Sequence, residues 1–270
     1  NDELHQGRIR DLIRKWDQEE FTVAFCGHFS AGKSTLLNEL YGKELLPTSP
    51  VPTSANVVKV RAGEDRVVMT LTSGERHEYR GAYTDADLQR LCQNGEEVTA
   101  VEVYRQDAPL PEGVTLLDTP GVDSTDDAHR RSTEAALHLA DAIFYVMDYN
   151  HVQSEGNLHF VRRLKERNKQ VYLVINQIDK HREEELSFDR FRERVEETFS
   201  GWEPAVDGVF YTSLRQPDHP HNALNDLKQQ IRELVLNRSE LLEQSLYREA
   251  SHLVREHLRV LEERKRSIAE

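Results

Sequence analysis

Gly27-His28-Phe29-Ser30-Ala31-Gly32-Lys33-Ser34 constrains this chain more than any other stretch. It sets two glycines, a lysine and a hydroxyl in the pattern G-x-x-x-x-G-K-[ST]. The preceding Phe21-Thr22-Val23-Ala24-Phe25-Cys26 is β-branched and aromatic, and it reads as a buried strand. The following Thr35-Leu36-Leu37-Asn38-Glu39-Leu40 carries apolar residues at helical spacing. A strand, a glycine turn and a helix N-terminus aim several backbone N–H groups and the positive end of a helix dipole at one point. A triphosphate suits that point. Gly27 and Gly32 let the backbone turn and approach the phosphates. Lys33 brings a positive charge for the β- and γ-phosphates, and the Ser34 hydroxyl is placed to ligate Mg²⁺. Gly27 to Thr35 is therefore the candidate nucleotide-binding segment.

The remainder alternates strands with helices. Asn56 to Arg61, Arg66 to Thr72, Val98 to Tyr104 and Val114 to Leu117 read as strands. So do Ala142 to Met147, Gln170 to Ile175 and Val209 to Thr212. Helices fit Thr84 to Gln93, Glu155 to Arg167 and Ser187 to Phe199, while the proline-rich Leu45 to Ala55 reads as an irregular loop. This order predicts an α/β fold with a doubly wound, mostly parallel sheet. Helices flank it at both ends. In residues 1–20, Leu4, Ile9, Leu12, Ile13 and Trp16 fall near one face. Between Asn222 and Glu270, apolar residues from Ile231 to Leu261 recur at helical spacing, with a break at Asn237 to Glu240 and Ser239 as a candidate N-cap. We expect the two end segments to form a small bundle. That divides the chain into 1–20, a core of 21–236, and 237–270.

Composition narrows the function. Acidic residues number 48 against 35 basic, a net charge of −13. This opposes non-specific nucleic-acid binding and a broad basic membrane-binding face. The two cysteines, Cys26 and Cys92, make neither a disulfide framework nor a metal spacing, which points to buried thiols in a reducing cytoplasm. No apolar run approaches the ~18 residues of a spanning helix, and no signal peptide is apparent. The first residue, Asn1, is not a methionine, which suggests a piece of a longer protein.

Two further motifs follow strands. Asp118-Thr119-Pro120-Gly121 has the D-x-x-G form, in which the Asp holds Mg²⁺ and the Gly121 N–H meets the γ-phosphate. Val122 to Arg130 would then be the segment that relaxes after hydrolysis. Asn176-Gln177-Ile178-Asp179 matches the base-recognition pattern N-K-x-D except at Gln177. The Asp179 carboxylate can accept both N–H groups of guanine's N1/N2 edge, which adenine lacks. Ser213, after the last strand, lies where a final base-contacting loop belongs.

These motifs, with Leu-Leu-Pro-Thr-Ser-Pro-Val-Pro-Thr-Ser-Ala-Asn, resemble the GTPase domain of the dynamin superfamily over roughly Phe21 to Val235, and bacterial dynamin-like proteins above all. The resemblance implies GTP hydrolysis to GDP with Mg²⁺ and a homodimer formed through the nucleotide face. It also implies tethering, fusion or remodelling of membranes by parts of the protein outside this chain, at the inner face of the cell membrane. By position, Thr53 resembles the switch threonine that ligates Mg²⁺ and holds the attacking water, with Thr48 the other candidate. Ser30 resembles the phosphate-loop serine that places a charge-compensating K⁺ or Na⁺. Phe29 stands where the water-orienting glutamine is often found, and Phe has no hydrogen-bonding group. His28 is either a loop filler or a participant. The polar loop Asp148 to Glu155 corresponds to one that reaches the partner's site, so Asn150, His151 and Gln153 are candidates to act across a dimer. The nucleotide core also fits a GTP-dependent regulatory switch without membrane work. Gln177 leaves an ATPase on the same fold open.

Overall fold

A computed structural model of the chain describes residues 2–28, 31–42, 57–71, 73–81, 98–119, 127–201, 203 and 205–269. The core is a nine-stranded sheet in the order β4-β3-β5-β2-β6-β1-β7-β8-β9. Its strands are β1 Phe21–Gly27, β2 Val57–Ala62, β3 Arg66–Leu71, β4 Arg76–Arg80 and β5 Val98–Arg105, then β6 Val114–Asp118, β7 Ala142–Asp148, β8 Val171–Asn176 and β9 Gly208–Tyr211. The block β6-β1-β7-β8-β9 is parallel throughout. β2 runs antiparallel to β6 and parallel to β5, and β3 pairs antiparallel with both β5 and β4.

The alternation of β1 explains the two layers around the sheet. Phe21, Val23 and Phe25 join one buried cluster with Leu36 and Leu37 of α2 (Lys33–Tyr41), Leu227, Ile231 and Leu234 of α6 (Leu224–Leu236), and Leu242 of α7 (Arg238–Ala269). Ala24 and Cys26 join the other, with Leu137 of α3 (Asp127–His138), Val161 and Leu164 of α4 (Glu155–Glu166), and Phe188, Val195 and Phe199 of α5 (Phe188–Ser200). Burial pushes the Cys26 thiol up to about 12, so it is an inert core group. Cys92 and the expected helix around it lie outside the described residues.

Three elements differ from the sequence reading. β4 has no apolar alternation, and the sequence reading assigns it no element; it forms as the outermost strand, with most of its residues exposed, by pairing with β3. The segment 122–130 becomes helical at Asp127, where α3 begins. The break in the C-terminal helices falls at Asn237, which caps α6, so Ser239 lies inside α7 rather than at its N-cap.

The N-terminal helix, α1 (Asp2–Asp17), packs along α7, but through a polar face. Leu12, His5 and Lys15 are buried, whereas Leu4, Ile9, Ile13 and Trp16 are between 47% and 58% exposed. His5 and Arg8 approach Glu256 at 3.5 and 3.6 Å, and the His5 ring meets the His257 ring edge-on at 5.4 Å. At the other end, Lys15 Nζ lies 2.5 Å from Asp141, whose carboxylate also accepts the Thr22 N–H at 2.7 Å. Of the expected stripe only Leu12 reaches the contact face, and polar contacts, the buried Lys15–Asp141 pair foremost, fix the helix beside it.

α7 carries one buried charged anchor. Glu249, 2% exposed, accepts from His138 Nδ1 at 2.6 Å and Arg167 at 3.0 Å, and Lys169 lies at 3.1 Å. Burial alone would raise its pKa, but the His138 hydrogen bond and the Lys169 and Arg167 charges outweigh that and hold it well below the usual range. These partners stand at the C-terminal end of α3 and just after α4, so one residue of α7 joins two segments of the core.

Candidate nucleotide-binding site

The sheet register brings the three motifs to one edge. Phe25 pairs with Asp118, Gly27 with Val146, Asp148 with Asn176, and Ile175 with Tyr211. Asp118, the phosphate loop, Asn176 and Thr212 therefore emerge together at the C-terminal ends of parallel strands. The chain leaves β1 toward β6 on one side and β7 on the other, which opens a crevice there.

Gly27 has φ 145°, and a Cβ there would sit 1.9 Å from the Val146 carbonyl oxygen, so no side chain fits. Gly32 has φ 75° and caps α2 with no side-chain hydrogen bond, leaving the first N–H groups of the helix available to an anion. A Cβ on Gly32 would lie 3.0 Å from Asn176 Nδ2. Lys33 is buried. Its Nζ lies 2.8 Å from Asp118 Oδ1 and donates to the Thr119 carbonyl. Thr119 is itself fixed by its N–H to the Phe25 carbonyl at 3.1 Å. Burial pushes the Asp118 carboxyl above its ordinary range, and Lys33 pulls it back. Ser34 is half-buried and Thr35 exposed on the first turn of α2.

On the base side, Asn176 is buried and clamps two loops. Its Nδ2 donates to the Ala31 carbonyl at 2.8 Å, and its Oδ1 accepts from Thr212 Oγ1 at 3.1 Å. Gln177 takes a left-handed conformation, φ 65°, and its Oε1 accepts from Lys180 Nζ at 2.5 Å. The lysine absent at 177 thus has a neighbour one turn later, which the motif comparison passed over. Asp179 accepts from the fully buried Ser213 hydroxyl at 2.8 Å. Ser213 in turn is bracketed by Asn222, which accepts its N–H at 3.2 Å and donates to its carbonyl at 2.9 Å. Ser213 therefore orients Asp179. Asn222, too distant in sequence to be noticed, orients Ser213.

The loop after β7 is a short turn, Tyr149–His151, capped by the buried Asp148. His151 Nδ1 lies 2.7 Å from Asp148, and Gln153 donates to Thr198 at 3.0 Å on α5. Both candidates for action across a dimer thus have partners within their own chain, while Asn150 is exposed. His28 reaches Asn157 of α4 at 2.6 Å. Phe29, Ser30, Thr48, Thr53 and Gly121 lie outside the described residues.

Comparison with known proteins agrees with this geometry. The model of the Dynamin family matches residues 23–179. Dynamin-like protein A of Bacillus subtilis is 39% identical over 260 residues, covering 96% of this chain and 22% of that protein. Dynamin-like protein 2 of Campylobacter jejuni is 25% identical over 67% of this chain and 29% of its own length. The chain thus spans under a third of either relative. A solved structure of an oligomerised bacterial dynamin pair, described as a mechanism for long-range sensing and tethering of membranes, shares the fold. Its TM-score is 0.60 at 15% identity, over 97% of this chain and 52% of that one. With the family model covering more than half its length, from β1 to the Asn176–Asp179 motif, the chain belongs to the dynamin family of GTPases.

Proposed function

We propose that the chain is the GTP-binding and GTP-hydrolysing unit of a longer dynamin-like protein, with 21–236 as its GTPase domain and the helices in 1–20 and 237–270 as an arm beside it. The observation that carries this reading is the meeting of Lys33 and Asp118 with Asn176, Asp179 and Ser213 at one sheet edge. Lys33, which pairs with Asp118 and donates to the Thr119 carbonyl, supplies the positive charge for the β- and γ-phosphates. The Ser34 hydroxyl and Asp118 carboxylate form an all-oxygen donor set suited to Mg²⁺. When bound, that ion neutralises charge on the phosphate oxygens. Asp179, oriented by Ser213, accepts guanine's N1/N2 edge. Thr53 and Gly121 respond to the γ-phosphate, and Ser30 serves the phosphate loop with a K⁺ or Na⁺.

The finer part of the proposal is that two copies pair through their nucleotide faces, and that the longer protein tethers, fuses or remodels membranes from the cytoplasmic side. Family membership supports it, as does the membrane tethering described for the bacterial dynamin pair of the same fold. Among the described residues, no helix is long and apolar enough to cross a membrane.

Phosphate release from GTP, with GDP and ADP as competitors, tests the core of this reading. GDP should compete far better than ADP. Lys33→Ala should lose hydrolysis by about 100-fold or more. Equal competition would favour an ATPase, for which Gln177 is the specific pointer. Turnover of Lys33→Ala within about twofold of the unsubstituted chain would remove the site assignment.

A further inference from the structure

Asn157 is a fully buried polar residue on α4 that no motif includes. Both ends of its side-chain amide are directed at neighbours. Nδ2 donates to the His151 carbonyl at 2.6 Å. Oδ1 meets the Tyr145 hydroxyl at 2.7 Å and His28 Nε2 at 2.6 Å. The backbone beneath is fixed as well, because the Asn157 N–H donates to the N-cap Ser154 hydroxyl at 3.3 Å.

These contacts determine where the protons are. A backbone carbonyl only accepts, so the amide's NH₂ end must face His151, and the oxygen end must face the other two groups. That oxygen only accepts, so both Tyr145 and His28 donate to it. Burial raises the Tyr145 phenol, which keeps its donor proton. It follows that His28 carries a proton on Nε2 and donates it to Asn157. On the neutral ring, the acceptor lies on the edge turned away from Asn157.

His28 is the first residue after the Gly27 turn, and its carbonyl accepts the Ala31 N–H at 3.2 Å inside the phosphate loop. The His28 ring also stacks near His151, at 6.4 Å and 27°, and His151 is held to the buried Asp148. One amide therefore ties the start of the phosphate loop to the turn after β7. We propose that His28 and Asn157 form a positioning pair for GTP hydrolysis, clamping the phosphate loop and the Tyr149–His151 turn in one register through an Nε2–H imidazole. This rests on the proposed GTPase reading. The Lys33 charge and the α2 N-terminus grip the nucleotide in ground and transition states alike. Loss of the clamp misaligns the loop and acts mainly on the transition state.

The test uses the whole chain and two substitutions at one position. Gln places an N–H donor near the position of His Nε2, whereas Leu fills similar space without a donor. His28→Leu should lower kcat for GTP about tenfold while KM changes less than about threefold, and His28→Gln should recover most of that loss. Equal impairment by Leu and Gln, or kcat of His28→Leu within about twofold of the unsubstituted chain, overturns the proposal. Should His28→Leu fail to fold, nitrogen NMR of the histidine-labelled unsubstituted chain decides. A neutral Nε2–H tautomer at His28 supports the clamp, and an Nδ1–H tautomer or a mixture overturns it. Hydrolysis absent from the unsubstituted chain would instead remove the GTPase reading itself.

Discussion

A Cβ at Gly27 would sit 1.9 Å from the Val146 carbonyl oxygen, which makes this residue the tightest point of the site. Gly27→Ala must separate β1 from β7 or unwind the phosphate loop. It should abolish nucleotide binding and cost about 2–4 kcal/mol, measured by nucleotide titration and urea unfolding. Wild-type affinity in that variant would contradict the geometry. Asp179→Asn removes the carboxylate that Ser213 orients. Its preference for GDP over ADP should fall about tenfold or more, read by competition binding, while stability changes little. The groups we propose to touch phosphate, metal and base stood out in the sequence because such chemistry demands fixed residue types at short spacing: Gly27, Gly32, Lys33, Asp118 and Asp179. Of the groups that orient them, Ser213 was legible by its place after the last strand, whereas Asn222 and Asn157 were not: each is an ordinary polar residue in its own stretch, and the fold sets its partners.

Elements were legible where burial imposed a pattern. β1, β7 and β8 are buried at every position, and all three stand out as apolar runs. β4 does not, because an outermost strand exposed to solvent carries Arg76, Glu78 and Arg80 and is held by pairing with β3 rather than by a buried face. α1 was legible as a helix, but its contact face was not, since ion pairs rather than the apolar stripe hold it. The Glu249 cluster on α7 yields a prediction at this scale. Glu249→Ala leaves His138, Arg167 and Lys169 without their shared acceptor and should cost about 3–5 kcal/mol in urea unfolding at neutral pH. The sign with pH follows from the depressed carboxyl. Its contribution is complete above the ordinary carboxylate value of 4.5 and fades as pH falls below it. The gap between the unsubstituted chain and Glu249→Ala should therefore narrow from about pH 6 to about pH 3. A gap that stays constant over that range would mean the carboxylate is not what holds the helix.

For the whole molecule, strand-helix alternation was enough to predict a doubly wound sheet. The placement of β2 to β5 on one flank was not, because antiparallel pairs of β3 with its neighbours depend on contacts no local pattern encodes. Pairing of two copies across the nucleotide face belongs to this scale. Specific activity should rise with protein concentration, and sedimentation should show a dimer with a transition-state mimic but not with GDP. A flat activity curve with a monomer in every nucleotide state would leave a self-contained switch. The Glu249 cluster has a mechanical corollary. α7 runs on for twenty residues to Ala269, which is ~30 Å of helix at 1.5 Å per residue. It is a lever with Glu249 as its charged fulcrum on the core, Leu242 packed before that point and α1 alongside beyond it. A tilt of roughly 10° at that fulcrum sweeps the far end by about 5 Å. Because His138 closes the helix that follows the Asp118–Gly121 motif, a small adjustment beside the phosphates and a large one at the lever's tip share the same pivot.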